Sequence, residues 1–312
     1  MADPAAQIAL IIGSLQRSQV SRYSNVASGC LFIYDYFVTL PDEIQLVWPG
    51  QWSPGKILFL VTRYMTWPEL VLVFYQQTSD IPAAQCHSYF TYFAWSTLWG
   101  VAASELILIL RTWALWDRKK VVVYGLIFLL VTLWIPNSYV ISVVTKKTTF
   151  VASSTFSPAL RGCFVTGSTT LVSISWILLM VMDFVILSLT VMRGIHHFRY
   201  RSSRLLVSLL RDGILYFVYL FSLSLANVVI LYTTAPEYSI LINQVLRVLH
   251  AMLSCRIILG LRGIAMEKDT QLLSSVGQLH GRSATTASMH NSSTWFGGGD
   301  DDTVIASRSY IK

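Results

Sequence analysis

The sequence predicts an all-α fold: a bundle of seven membrane-spanning helices, with an extracellular amino terminus and a cytosolic carboxyl terminus. Three observations carry that expectation. Apolar residues make up 54% of the 312 and charged residues only 12%, and the mean hydropathy is +0.56, far outside the soluble globular range. Seven apolar stretches, at about 23–40, 57–77, 88–111, 120–144, 169–192, 213–233 and 239–260, approach the roughly 20 residues a helix needs to cross hydrocarbon. Lys and Arg alternate between the two sides, thirteen against five (Arg17, Arg22, Lys146, Lys147 and Arg161), and the positive-inside rule then orients the chain.

The spans lack the alternation of a lipid-facing β-barrel, and in hydrocarbon only helices and closed barrels satisfy their own backbone groups. No repeat runs through the chain, so residues 23–262 read as one bundle between an outer segment, 1–22, and a tail, 263–312. The apolar run Ile8 to Ile12 is too short for a signal peptide and follows no basic segment, so the first span is expected to direct its own insertion.

The stretch from Leu31 to Tyr64 places ionised groups inside lipid. Asp35 lies in the first apolar run and Arg63 in the second, and the segment between them, with Pro41, Asp42, Glu43, Trp48, Trp52, Pro54 and Lys56, reads as an interfacial turn. At 1.5 Å per helical residue both charges sit roughly 10 Å below the same membrane face. Two readings stand: an Asp35–Arg63 ion pair, or Arg63 reaching lipid phosphates while Asp35 accepts hydrogen bonds from hydroxyls.

Sorted by depth, the polar residues of the spans form an inner layer, Asp35, Arg63, Glu105, Arg256 and Asp183, and an outer layer, Glu69 and Arg247. Charges at such depth need partners or water, so the layers predict a buried network or a wet cavity, either static or rearranged by a ligand. Arg247 and Arg256 are nine residues apart and point to opposite helix faces, which gives them separate partners.

The topology also bears on the cysteines. Cys86 and Cys163 both fall on the oxidising side, where a disulfide would pin the 146–168 loop over the bundle mouth; the alternative is two thiols too far apart to bond. Cys30 and Cys255 read as small packing residues.

Other features read as structural. Gly100, Ala102, Ala103 and Ser104 form a small-residue packing face. Pro68 and Pro136 should kink their helices, with Asn137 as the local hydrogen-bonding partner. Asn227 and Asn243 suit a bond between the last two helices, and Trp95, Trp99 and Trp134 suit the core. Residues 261–275 fit a short amphipathic helix on the inner leaflet, and the Ser/Thr/Gly-rich remainder reads as disordered. The sequon at Asn291 would stay unmodified in the cytosol.

Enzyme chemistry is not expected. His250 is the one histidine well inside a span, His196 and His197 lie in a basic stretch suited to headgroups, and no Ser-His-Asp set is evident at matching depth. None of the seven lysines lies in the interior of a span, Lys120 standing at the very start of the fourth, which excludes a retinal Schiff base. No cofactor, metal or nucleic acid is expected.

Tyr34-Asp35-Tyr36, Leu40-Pro41-Asp42-Glu43-Ile44, Trp48, Trp52, Lys56 and Phe59 through Tyr64 together resemble a family of fungal, mainly basidiomycete, membrane proteins defined by an amino-terminal domain of unknown function. The resemblance covers about residues 25–75. Leu110 through Trp116, and Cys255 through Arg262 with Gly260 in place of Asn, are similar to later segments of the same family. It implies a seven-helix protein laid out like a G-protein-coupled receptor, although an Asp/Glu-Arg-Tyr triplet and an Asn-Pro-x-x-Tyr segment are both missing here. Three functions follow: a receptor-like sensor of the plasma membrane, in which a small ligand near Glu69 or Arg247 changes how the basic inner loops meet a cytosolic signalling protein; a transporter or channel with a charged path; and a static structural protein. The lipid bilayer is a partner in all three.

Overall fold

The computed structural model describes residues 4–79, 81–152, 163–167, 171–200, 204–233 and 239–292. These form seven helices: α1 (Pro4–Leu46), α2 (Pro54–Thr78), α3 (Ala83–Leu115), α4 (Lys120–Lys147), α5 (Val172–Tyr200), α6 (Arg204–Thr233) and α7 (Ser239–Ser292). Five helical segments are long and apolar enough to cross a membrane: Pro54–Thr78, Ala84–Leu115, Lys120–Lys147, Val172–Ile195 and Asn243–Glu267. The apolar segment Ile214–Ile230 of α6 is shorter. The chain is thus a multi-pass membrane-type helical protein.

The expected 146–168 loop holds an antiparallel pair, β1 (Thr149–Ala152) and β2 (Cys163–Gly167), with Val151 opposite Phe164 and Ala152 opposite Cys163. Here the Cys86–Cys163 disulfide is formed, with a Cα–Cα separation of 5.9 Å. It fastens β2 to the start of α3, where Phe150 packs on Phe90 at 5.1 Å between ring centroids and the His87 ring meets the Thr145 carbonyl at 3.0 Å. Cys255 is buried as a packing residue, whereas Cys30 is exposed on α1, contrary to expectation.

Sequence and structure differ most at the end of α1. Pro41 reads as the start of a turn, yet it lies inside a helix that continues to Leu46. The buried residues of α1 explain why: Ser21, Asn25, Ser28, Phe32, Asp35, Thr39 and Glu43 recur every three or four positions, the period of one helix face. The Pro41 ring removes one backbone bond but leaves that face intact. The true connector, 47–53, is closed by Lys56, whose Nζ donates to the Trp48 and Gly50 carbonyls at 2.9 and 2.8 Å and lies over the Trp52 ring. Ser53 caps α2 by accepting from the Lys56 amide, with Pro54 in the first turn.

Pro68 and Pro136 lie within α2 and α4 as expected. Beside Pro136, Ser138 donates to the Trp134 carbonyl at 2.9 Å, and Asn137 Oδ1 accepts no hydrogen bond. Trp99 is 55% exposed and packs on Trp134 at the α3–α4 surface, so it is not core. The helix expected at 261–275 is a continuation of α7, which runs on to Ser292 where disorder is expected. No proline interrupts 261–292, and extending a formed helix avoids the cost of nucleation. By its contacts the chain divides into units 1–262 and 263–312.

Helix α7 is central to the first unit. Four buried apolar clusters hold the bundle, and α7 enters each, through Ile257, Ile258, Val248 and Leu246. Only 17% of the α4 span is buried against 61% of α3. On α4, Tyr124, Phe128, Val131, Ile135 and Tyr139 form an exposed helical stripe suited to acyl chains.

Between α3 and α4 the backbone turns through two left-handed residues, Asp117 (φ 52°) and Arg118 (φ 57°). Arg193 holds the turn from α5 by pairing with Asp117 and donating to the Leu115 carbonyl at 3.2 Å. A left-handed residue with a Cβ costs about 1–2 kcal/mol. Arg118→Gly is therefore expected to raise stability by about 1 kcal/mol, measurable as a higher unfolding midpoint.

Candidate functional site

Most of the polar contacts between helices of the first unit are made by α7. Arg247, wholly buried, reaches α2: its Nε is 3.1 Å from Glu69 Oε2, and its Nη2 donates to Oε1 at 3.3 Å. Ser96 of α3 adds a 2.5 Å bond to the same carboxylate oxygen. One turn on, His250 lies between Glu105 of α3 and Asp183 of α5, and Ser224 of α6 donates to Asp183 Oδ2 at 2.6 Å. Arg256 Nε meets Asp35 of α1 at 2.6 Å. Arg262 then donates to the Leu46 carbonyl at 2.9 Å and to Ser53 Oγ at 3.4 Å. Across the last two helices Asn227 Nδ2 donates to Asn243 Oδ1 at 3.4 Å.

Asp35 and Arg63 do not pair. Arg63 Nε binds Glu43 Oε2 at 2.6 Å, its Nη2 donates to the Tyr36 carbonyl, and its guanidinium lies 4.7 Å from the centre of the Tyr36 ring. Glu43 is fully buried and also accepts from Tyr64 and from the Trp48 indole, at 2.9 and 3.2 Å. Position along the helix separates Asp35 from Arg63: α1 runs on to Leu46, and Glu43, two turns beyond Asp35 on the same buried stripe, is the carboxylate that meets Arg63. Glu43 falls in the segment that the sequence marks as a turn, because Pro41 and Asp42 precede it. The signal that could have found it is the period of polar residues running through Pro41.

The small-residue face of α3 has a specific task. A Cβ built on Gly100 would lie 2.5 Å from Arg247 Cζ, so the missing side chain is what lets the guanidinium press against α3. Gly100→Ala is expected to cost about 1–3 kcal/mol through overpacking. Gly125→Ala on α4, where nothing lies within 4 Å, should leave the unfolding midpoint in place or raise it.

The Ser, His and Asp side chains absent at matching depth in the sequence do meet, in the order Ser224, Asp183, His250. The serine proton goes to the carboxylate, not the imidazole, so this is not the arrangement that activates a nucleophile.

The segment that carries the α1–α2 hairpin is the one that comparison with known proteins picks out. Residues 23–67 match a family of unknown function, DUF6533. A comparison with curated proteins finds no match. The matched segment holds Asp35, Glu43, Lys56 and Arg63: one buried ion pair closes the hairpin, one cation seals its connector, and Asp35 binds α7. Its partner Arg256, like Glu69 and Arg247, lies beyond the matched residues.

Proposed function

We infer that the chain is a seven-span, receptor-like sensor of the plasma membrane, with its amino terminus outside and its carboxyl terminus in the cytosol. The observation that carries this reading is that α7 supplies one side of polar contacts to α1, α2, α3 and α5 and, through Ser53, to the α1–α2 connector. A helix tied this way has few intermediate positions: shifting it breaks several directional contacts together, which favours two discrete arrangements. In the orientation expected from the basic residues, Glu69 and Arg247 lie towards the outside beneath the disulfide-tethered hairpin. A charged or strongly polar ligand there would compete for the pair and free α7 to move. Motion at Arg256 and Arg262 would then reach the α1–α2 connector and the basic cytosolic loops.

The test uses the protein in lipid nanodiscs with cysteine labels at Gly260 on α7 and Val121 on α4, both exposed, in a background lacking Cys30 and Cys255. Arg247→Gln, which breaks the Glu69 pair, should shift the label-to-label distance distribution. An unchanged distribution in a folded protein would mean that the two ends of α7 are not coupled. A transporter is the second reading, favoured by the Glu105–His250–Asp183 group in the middle of the bundle. Proton or cation flux in proteoliposomes, lost in Glu105→Gln, would favour it over the sensor.

A further inference from the structure

Glu105, Asp183 and His250 leave a problem of charge that the protein itself does not solve. All three are buried, at 2%, 3% and 0% exposure. The imidazole lies between the carboxyl groups, with Nδ1 3.8 Å from Glu105 Oε1 and Nε2 3.9 Å from Asp183 Oδ2. Both gaps exceed hydrogen-bond length. With the carboxyls ionised, neither Glu105 oxygen and neither ring nitrogen has a hydrogen-bond partner, and a dry, unsatisfied polar group is strongly unfavourable. Nearby guanidinium groups are engaged elsewhere: Arg63 with Glu43, Arg247 with Glu69 and Arg256 with Asp35.

Charge, spacing, ligand type and an outer contact together identify the occupant. Two carboxylates and a neutral imidazole carry a formal charge of −2, matched by one divalent cation. One donor atom from each residue lies within 4.8 Å of the others, and ligands around a tetrahedral ion at 2.0–2.2 Å are about 3.3–3.6 Å apart, so modest side-chain motion closes the site. One imidazole with two carboxylates suits Zn2+, whereas Mg2+ and Ca2+ take all-oxygen shells of six or more. The bond from Ser224 to Asp183 supplies the outer contact that orients a metal-binding carboxylate. The competing occupant is a proton shared between the two carboxyl groups, which offer oxygens within 4.8 Å of each other.

The geometry points to a buried divalent metal site of the Zn2+ class, ligated by Glu105, Asp183 and His250 and joining α3, α5 and α7. It does not depend on the sensor reading, and its test reads binding instead of signalling.

Full-length protein in nanodiscs, stripped with chelator and dialysed against Zn2+, should retain about one ion per chain by elemental analysis, and Co2+ should give the intense visible bands of a four-coordinate N/O site. His250→Gln and Asp183→Asn should each weaken retention by at least the roughly tenfold loss that follows removal of even an outer-shell partner. The double variant His196→Gln/His197→Gln should retain the ion. Failure of the wild type to hold Zn2+ overturns the site and leaves the shared proton as occupant. Retention unaffected by His250→Gln overturns it as well. Should that variant fail to fold, X-ray absorption on the Zn2+-loaded wild type decides: one imidazole with oxygen ligands supports the site, and sulfur or several imidazoles overturn it.

Discussion

Arg247→Gln is expected to destabilise the bundle by about 3–5 kcal/mol, the range for removing one member of a buried ion pair. Both Arg247 and Glu69 are completely buried. Without the guanidinium, Glu69 keeps only the Ser96 hydroxyl, far less than an ionised carboxylate needs in a low-dielectric interior. The loss is therefore mostly the penalty of stranding Glu69. That argument makes a sharper statement about the double variant: Glu69→Gln/Arg247→Gln places two neutral amides face to face and should recover much of the loss. Unfolding in lipid nanodiscs, followed by tryptophan fluorescence, measures both. A single variant within about 0.5 kcal/mol of the wild type would mean that water reaches the pair, since exposed pairs contribute about 0.2–1 kcal/mol.

The second large effect is a pattern of coupling. Glu43→Gln and Arg63→Gln should be strongly non-additive, with an interaction energy of about 1–3 kcal/mol, because Arg63 binds Glu43 at 2.6 Å inside the hairpin. Asp35→Asn and Arg63→Gln should be clearly less coupled than Glu43 with Arg63, because the two groups have different ion-pair partners. Asp35 and Arg256 should couple less than Glu43 and Arg63, since the Arg256 side chain is 39% exposed and less constrained, whereas Glu43 and Arg63 are both buried. Coupling between Asp35 and Arg63 equal to that of Glu43 with Arg63 would refute the pairing.

The residues show where sequence reading succeeds and where it fails. Deep charges such as Asp35, Glu69 and Arg247 are legible because hydrocarbon makes each of them expensive. Their partners are harder to read. Depth along a helix follows from counting residues, but pairing also needs the rotation of each helix about its axis and the choice of neighbours. Both come from packing around α7. Pro41 misled because proline often ends helices in water, whereas a proline inside a bundle helix can be tolerated. His250 was read as a lone histidine because its companions stand 145 and 67 positions earlier in the chain.

The amino-acid sequence alone determined the class of the molecule, the approximate position of its apolar helices, the disulfide candidates and most of the side chains that had to be accounted for among them. Those follow from composition and local periodicity, which act over a few turns. Tertiary structure alone decided that Glu43 and not Asp35 answers Arg63, that α7 is the common partner, and that Glu105, Asp183 and His250 converge. Those depend on which helix faces touch, and that is settled by side-chain fit between segments far apart in the chain.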